Sequence, residues 1–116
     1  MTNMIFKIAT REQWADAQSE GVFNGAPVDL ADGFIHFSTA AQVRETAAKH
    51  FAGQADLLLL SVDPAALGDA LKYEPSRGGD LFPHLYAALP LTAVASVEPL
   101  ALDANGNHLF PDIEGR

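Results

Sequence analysis

Two short segments concentrate the side chains that can carry acid–base or binding chemistry. The first holds His36, followed by Ser38 and Thr39. An imidazole within an apolar strand needs a polar partner, and such groups concentrate at functional sites. The two hydroxyls precede a predicted helix, whose exposed amides and dipole favour a phosphate or carboxylate. The segment predicts anion binding, although hydroxyls at such positions more commonly only cap the helix and His36 can be a hydrogen-bonded core or edge residue.

The second segment runs from residue 74 to residue 86 and contains Glu74, Arg77, His84 and Tyr86. Two glycines follow Arg77, so that the arginine can swing on its loop and grip a carboxylate or phosphate. His84 and Tyr86 are two apart on a predicted strand and therefore share a face. They offer a proton donor–acceptor and an aromatic platform, as nucleotide or sugar binding requires. The alternative is an ordinary polar turn followed by packed side chains.

Other classes of chemistry lack support in the sequence. There is no cysteine, so thiolate metal sites, disulfides and a cysteine nucleophile are excluded. No histidine spacing is typical of a metal site, and we predict none. The formal net charge of −8 opposes binding to duplex nucleic acid or an anionic membrane. A small anionic or nucleotide-like ligand is the partner that the two segments favour.

The elements that must position these side chains follow from hydrophobic periodicity and turn signals. Residues 4–9 predict a strand, and Thr10 with Gln13 has the spacing of a capping box that starts a first helix. Gly21 is placed to end this helix in the left-handed conformation. Residues 22–31 are predicted to be a turn-rich loop.

The middle of the chain predicts a strand, a helix and a buried strand. Residues 33–37 predict a strand, on which His36 shares a face with Phe34. Thr39 and Gln42 match a second capping box, which opens a helix to about His50. Residues 56–62 form an apolar run that suits a strand covered on both faces, at the centre of the sheet.

The later part predicts mainly strands and turns. A helical turn is predicted over residues 63–67 and a polar loop over 75–80, with strands over 71–74, 81–86 and 91–97. Asn105 and Gly106 predict a tight turn. The element order indicates an α+β domain over residues 1–110, with two main helices against a mixed or antiparallel split sheet. Residues 111–116 are predicted to be a C-terminal tail. No secretory signal is recognised at the start, so we expect a cytoplasmic protein.

Several segments together resemble a family of small bacterial proteins known as domain of unknown function 952. The similar segments are residues 5–8 with Trp14, residues 33–39 with Gln42, residues 71–74, and residues 81–86. This resemblance spans nearly the whole chain. By more distant similarity it implies an ADP-ribosyltransferase-like fold, whose members use or cleave NAD in a cleft between two parts of a split sheet.

The resemblance implies roles for the residues named above. Lys7 and Arg77 would hold a diphosphate, while His36 and Ser38 would contact a ribose. Tyr86 would stack on the ligand.

His84 or Glu74 would act as the acid–base or charge-stabilising group. The function expected is a transferase or hydrolase that binds a nucleotide-like or ADP-ribose-like ligand. The alternatives are a non-catalytic sensor of the same anionic ligand and a protein-interaction domain with structural histidines.

Overall fold

The computed structural model describes residues 4–76 and 79–113 of the chain. Within these ranges the fold is α+β, as predicted. The helices are α1 (Arg11–Glu20), α2 (Pro27–Asp32) and α3 (Val43–His50). The strands are β1 (Ile5–Thr10), β2 (Val22–Phe23), β3 (Ile35–His36), β4 (Ser38–Thr39), β5 (Leu57–Val62), β6 (Leu71–Pro75), β7 (Leu81–Leu85), β8 (Leu89–Pro90), β9 (Val94–Leu102) and β10 (His108–Leu109). Short 3-10 helices cover Pro64–Ala66, Gly68–Ala70 and Leu91–Ala93.

The strands form a curled antiparallel sheet that is divided into separate parts. The largest part has five strands in the order β10-β9-β5-β1-β4. A three-stranded part has the order β3-β7-β6, and β2 pairs with β8. Each pairing among the described strands is antiparallel. Of the two predicted sheet types, mixed and antiparallel, the antiparallel type is therefore the one observed.

Strand β5 lies at the centre of the five-stranded part, as its continuous apolar run predicted. Because side chains alternate along a strand, β5 contributes to two hydrophobic clusters on opposite faces. Leu58 and Leu60 join the cluster that includes residues of α1, β3 and β7. Leu57 and Leu59 join the cluster that contains residues of α3. Burial on both faces explains why this segment lacks a polar alternation.

Helix α1 has the ends that the sequence predicted. The Thr10 side chain accepts a hydrogen bond from the Gln13 amide, and the Gln13 side chain accepts one from the Thr10 amide, both at 3.0 Å. These reciprocal bonds satisfy two amides that the first turn of a helix would leave unpaired. Gly21 ends the helix with φ at 84°, in the left-handed region.

The prediction of a loop over residues 22–31 was wrong, and the fold has a third, short helix. β2 and α2 both form in this stretch. Pro27 occupies the first turn of α2, where its missing amide is tolerated. The Asp29 carboxylate accepts a hydrogen bond from the Ala26 amide at 2.7 Å, and Gly33 ends the helix with φ at 87°. The helix was missed because its six residues make less than two turns and show no apolar periodicity.

The predicted strand over residues 33–37 and the helix start at Thr39 both required correction. The chain pairs with β7 through Ile35 and His36 and then pairs with β1 through Ser38 and Thr39. Because Thr39 lies in β4, the helix cannot begin there, and α3 starts at Val43. The junction is therefore a crossing from the three-stranded to the five-stranded part.

The predictions for the later elements were largely confirmed. The predicted strands over 71–74 and 81–86 correspond to β6 and β7. The predicted strand over 91–97 instead begins at Val94, after a 3-10 turn. The Asp103 carboxylate accepts hydrogen bonds from two amides of the turn that contains Gly106. Among the described helices, none is both long and apolar enough to cross a bilayer.

Candidate functional site

One face of the three-stranded part carries both predicted histidines, His36 and His84. His36 on β3 and Lys72 on β6 both pair with His84 on the central strand β7. Directly paired residues lie on the same face of a sheet, so these three side chains form a row across the strands. Ile35 and Leu85 pair one position further along and face the hydrophobic core. The pleat thus separates a polar face from the core.

The buried carboxylate of Asp29 is the centre of the first polar cluster. It accepts hydrogen bonds from the His36 ring at Nδ1 (2.6 Å), from the His36 amide (3.0 Å) and from the Ala26 amide (2.7 Å). The Lys7 ammonium lies 2.9 Å from Oδ2 and 3.1 Å from Oδ1. Asp29 therefore links β1, α2 and β3 at one point.

The electrostatics of this cluster keep Asp29 ionised. Burial alone would raise the pKa of Asp29, but the hydrogen bond from His36 and the charge of Lys7 outweigh it and lower the pKa to about 2. Burial lowers the pKa of Lys7, and the charge and hydrogen bond of Asp29 counteract this lowering. The ionised Asp29 holds the His36 ring in one orientation and favours a proton on Nδ1.

The other nitrogen of His36 contacts a second carboxylate. Nε2 lies 2.9 Å from Oδ2 of Asp32, the last residue of α2. Unlike Asp29, the Asp32 side chain is 48% exposed. The imidazole of His36 thus lies between a buried carboxylate and one that is open to solvent.

Glu74 is the centre of the second polar cluster. Its Oε1 lies 2.8 Å from Nδ1 of His84 and accepts a hydrogen bond of 2.6 Å from the Tyr86 hydroxyl. The hydrogen bonds from Tyr86 and then from His84 lower the pKa of Glu74. The same bond to Glu74 raises the pKa of Tyr86. His84 and Tyr86 share a face, as their spacing predicted, and the shared carboxylate is what joins them.

The aromatic ring of Phe34 connects the two polar clusters. It stacks on the His84 ring with centroids 4.1 Å apart and lies 4.6 Å from the His36 ring. Its distance to the Tyr86 ring is 5.2 Å. The two imidazoles themselves are 5.6 Å apart in an edge-on arrangement. Phe34 therefore restricts the movement of both histidines.

A cavity of about 530 Å³ opens beside the two imidazoles. Aromatic rings and aliphatic groups form most of its wall, and His36, His84 and Asp32 provide polar groups. The lining residues are Phe6, Lys7, Ile8, Val28, Asp32, His36, Phe37, Ser38, Thr46, His50, Phe51, Ser76, Phe82 and His84. They come from β1, α2, the β3–β4 segment, α3 and the β6–β7 hairpin, so the cavity exists only when these elements are assembled.

The structure brings some of the predicted ligand-binding residues to this cavity and leaves others beside it. Ser38 lines the cavity, and its hydroxyl hydrogen-bonds that of Thr46 at 2.9 Å. Lys7 is also at the wall, but its ammonium is bound to Asp29 rather than presented to a ligand. Thr39 is outside the lining, where its amide donates to the Gln42 side chain.

One further predicted ligand contact, that of Tyr86, differs from the expected arrangement. The Tyr86 ring is outside the lining, and its hydroxyl is committed to Glu74. Arg77 lies outside the described residues.

Sequence reasoning missed Asp29 and Asp32, which contact both ring nitrogens of His36. The only local signal for Asp29 was its position three residues after Ala26, typical of an acid that caps a helix start. Asp32 precedes a glycine that ends a helix, a position that gives no indication of a histidine partner. Their partnership with His36 depends on the path of α2 and could not be derived from spacing alone.

Comparison with known proteins places the chain in a family. The family described as "Protein of unknown function (DUF952)" matches residues 8–97, well over half of the 116 residues. The chain belongs to this family. The resemblance in the sequence to DUF952 is therefore confirmed. Among curated proteins, none matches the chain.

Solved structures similar to this DUF952 chain come from Caulobacter crescentus. The crystal structure of its protein CC0527 is 51% identical and has a TM-score of 0.88, covering 91% of this chain and 93% of that chain. The solution NMR structure of CC0527 is 52% identical with a TM-score of 0.81, covering 90% of each chain. The fold described above is thus shared with an experimentally determined relative.

Proposed function

We propose that this DUF952 protein binds a nucleotide-like small molecule in the cavity and acts on it as a transferase or hydrolase. The observation that carries the proposal is the position of two carboxylate-backed imidazoles, His36 and His84, at the wall of one aromatic cavity. In this proposal the fold is ADP-ribosyltransferase-like, the ligand is ADP-ribose-like, and the protein acts in the cytoplasm.

The size and lining of the cavity support a ligand of this class. Small-molecule sites usually measure about 300–1,000 Å³ and combine apolar walls with a few polar groups. The phenylalanines at residues 6, 37, 51 and 82 provide apolar, aromatic surface for a planar ring. His36, Ser38 and Thr46 supply hydrogen-bonding groups suited to a sugar or an anionic group.

The two imidazoles have the arrangement that acid–base catalysis requires. Asp29 anchors His36 at Nδ1 and Glu74 anchors His84 at Nδ1. The atoms for proton exchange with a ligand are therefore Nε2 of His84 and, once the Asp32 carboxylate has turned away, Nε2 of His36. One imidazole would accept the proton of an attacking water or hydroxyl group. The other would donate a proton to the leaving group, so that the pair ends with its proton count unchanged. Asp29 and Glu74 act here by orienting the rings.

The observed contacts of Lys7 and Tyr86 change the roles proposed for these two residues. Lys7 neutralises Asp29, so we assign it to positioning His36 rather than to binding a diphosphate. Tyr86 holds Glu74 through its hydroxyl and is likewise a positioning residue. The contact of Arg77 with an anionic group stays a prediction.

A two-dimensional NMR titration with ADP-ribose, NAD and a short RNA tests ligand binding. We expect residue-specific shifts at the cavity lining for one of the nucleotides, and their loss in His36→Ala. His108→Ala is the matched control, because His108 lies on β10 and bonds the Gln54 carbonyl away from the cavity. The absence of shifts with all three ligands, or equal shifts in His36→Ala and wild type, would contradict the proposal.

Turnover of the bound ligand distinguishes the enzyme from a sensor. The sensor alternative is favoured by one observation, that Asp32 already occupies Nε2 of His36. An enzyme should convert the bound ligand to a product that chromatography separates, and His84→Ala should slow this about 100-fold or more, in the usual range for general acid–base catalysis. Binding without conversion would support the sensor.

A further inference from the structure

The contact between Asp32 and His36 differs in kind from the other ion pairs of the site. Asp32 lines the cavity, its carboxylate lies 2.9 Å from Nε2 of His36, and half of its side chain is exposed. Asp29, on the opposite side of the same ring, is buried and accepts bonds from three elements. One carboxylate is therefore fixed, whereas the other is free to turn toward solvent.

The local electrostatics disfavour the position of Asp32. It is the last residue of α2, close to the carbonyl groups that give the end of a helix partial negative charge. Among the described residues, His36 is its only partner in a hydrogen bond or ion pair. A half-exposed pair of this kind is weak, since solvent screens the attraction and holding the side chains costs entropy. A ligand group can therefore replace Asp32 without unfolding any element.

We propose that Nε2 of His36 is an anion subsite, which the Asp32 carboxylate fills in the free protein. When the His36 ring carries a proton on both nitrogens, Nε2–H donates to Asp32 in the free protein. A carboxylate or phosphate group of the ligand takes the place of Asp32, because its oxygen accepts the same hydrogen bond. Asp32 rotates outward into solvent, while Asp29 keeps the ring in place. This inference rests on the proposed function for the location of the ligand, and it names where the anionic end of that ligand binds.

The proposal makes Asp32 a determinant of affinity. The ligand must displace an internal competitor that is attached to the protein, and it must also bind near the negative charge of that competitor. Asp32→Asn keeps the shape of the side chain but removes its charge. This variant should bind an anion more tightly, and its fold should be unchanged because the removed charge lies unfavourably at the end of a helix.

The test measures binding of inorganic phosphate and of acetate, separately, to wild type, Asp32→Asn and Asp16→Asn by NMR. Asp16 is exposed on α1 and is not at the cavity wall, so its variant changes the net charge equally. We expect Asp32→Asn to bind at least one anion about three- to tenfold more tightly than wild type, with shifts centred on the His36 ring. Asp16→Asn should stay within about twofold of wild type.

A second pair of variants assigns the effect to His36. In a His36→Gln background, Asp32→Asn should no longer improve anion binding, because the donor is absent. A stronger response to phosphate than to acetate would identify a phosphate-bearing ligand, and the reverse would identify a carboxylate. Equal affinities in Asp32→Asn and Asp16→Asn, a lack of binding to Asp32→Asn, or an improvement that persists without His36 would overturn the subsite.

The neutral nucleoside adenosine separates failure of the subsite from failure of the proposed function. Adenosine tests the aromatic cavity without an anionic group. If adenosine shifts the cavity residues but neither anion responds to Asp32→Asn, the proposed function stands and the subsite is wrong. If adenosine and both anions fail to bind, both proposals are wrong.

Discussion

Lys7 and Asp29 form a buried ion pair whose partners depend on each other. Their side chains are 7% and 1% exposed, so neither charge is compensated by water. Removing one partner of such a pair typically destabilises a protein by about 3–5 kcal/mol, because the other charge stays buried. Lys7→Met removes the charge and keeps an unbranched side chain that is one heavy atom shorter. We expect the free energy of unfolding to fall by about 3 kcal/mol, measured by urea denaturation.

Lys49→Met is the matched control for this substitution. Lys49 is exposed on α3 and lies 3.5 Å from Glu45, in a surface pair of the kind that contributes about 0–1 kcal/mol. We expect a change of less than about 1 kcal/mol. Similar losses in both variants would contradict the central role of the buried pair.

At the scale of residues, the sequence identified both histidines and Glu74, which contacts His84, but not the two carboxylates that contact His36. His36 was predicted because an imidazole in an apolar strand requires a partner. His84 was predicted because it lies two residues from Tyr86 on a strand, so that the two side chains share a face. Glu74 and Tyr86 were predicted to lie near His84 because all three belong to the segment of residues 74–86. Asp29 was missed since it meets Lys7 across 22 positions in the sequence, a separation that periodicity cannot bridge. The roles of all these residues in binding or catalysis stay predictions.

At the scale of elements, α2 positions the site although it has only six residues. Gly25 precedes it with φ at 114°, a backbone conformation that L side chains rarely adopt. A Cβ atom on Gly25 would lie 2.8 Å from the Cβ atom of Asp29. Two non-bonded carbon atoms do not approach this closely, so one of them would have to move. The glycine is therefore required both by the turn and by the approach of Asp29.

Gly25→Ala should destabilise the protein and disturb His36 through the displacement of Asp29. Gly53→Ala is the control, since Gly53 also has positive φ (72°) but nothing lies within 4 Å of its added Cβ. We expect a loss of about 1–2 kcal/mol in the control from backbone strain alone. Gly25→Ala should lose about 1 kcal/mol more in urea denaturation and shift the NMR signals of the His36 ring. Equal losses, with unchanged ring signals in both variants, would contradict this account.

Predictability from the sequence also varied among elements. β5 and α1 were predicted correctly because a continuous apolar run and a reciprocal capping box are local signals. The break between β3 and β4 was not predicted. At this point the chain stops pairing with β7 and starts pairing with β1, and the local sequence does not indicate this change of tertiary partner. The short helix α2 likewise depends on tertiary contacts that offset the cost of forming so few turns.

At the scale of the whole molecule, the cavity is a product of assembly. Its wall combines β1, α2, the β3–β4 segment, α3 and the β6–β7 hairpin. No single segment of the sequence therefore indicates the cavity. The two hydrophobic clusters on opposite faces of β5 hold these elements at fixed distances. Substitutions at the rim can therefore close the cavity without affecting either cluster.

Val28 and Leu30 allow this closure to be tested with a matched pair on α2. Val28 is 57% exposed and lines the cavity four residues before Asp32, whereas Leu30 is 66% exposed and does not line it. A tryptophan at either position places the same side chain at an exposed site, so both variants should unfold like wild type. Val28→Trp should weaken binding of the nucleotide found by titration about tenfold or more, because the indole competes for the entrance. Leu30→Trp should leave the affinity unchanged. If Val28→Trp binds as tightly as Leu30→Trp, then the ligand enters or binds elsewhere and the cavity beside His36 is not the site.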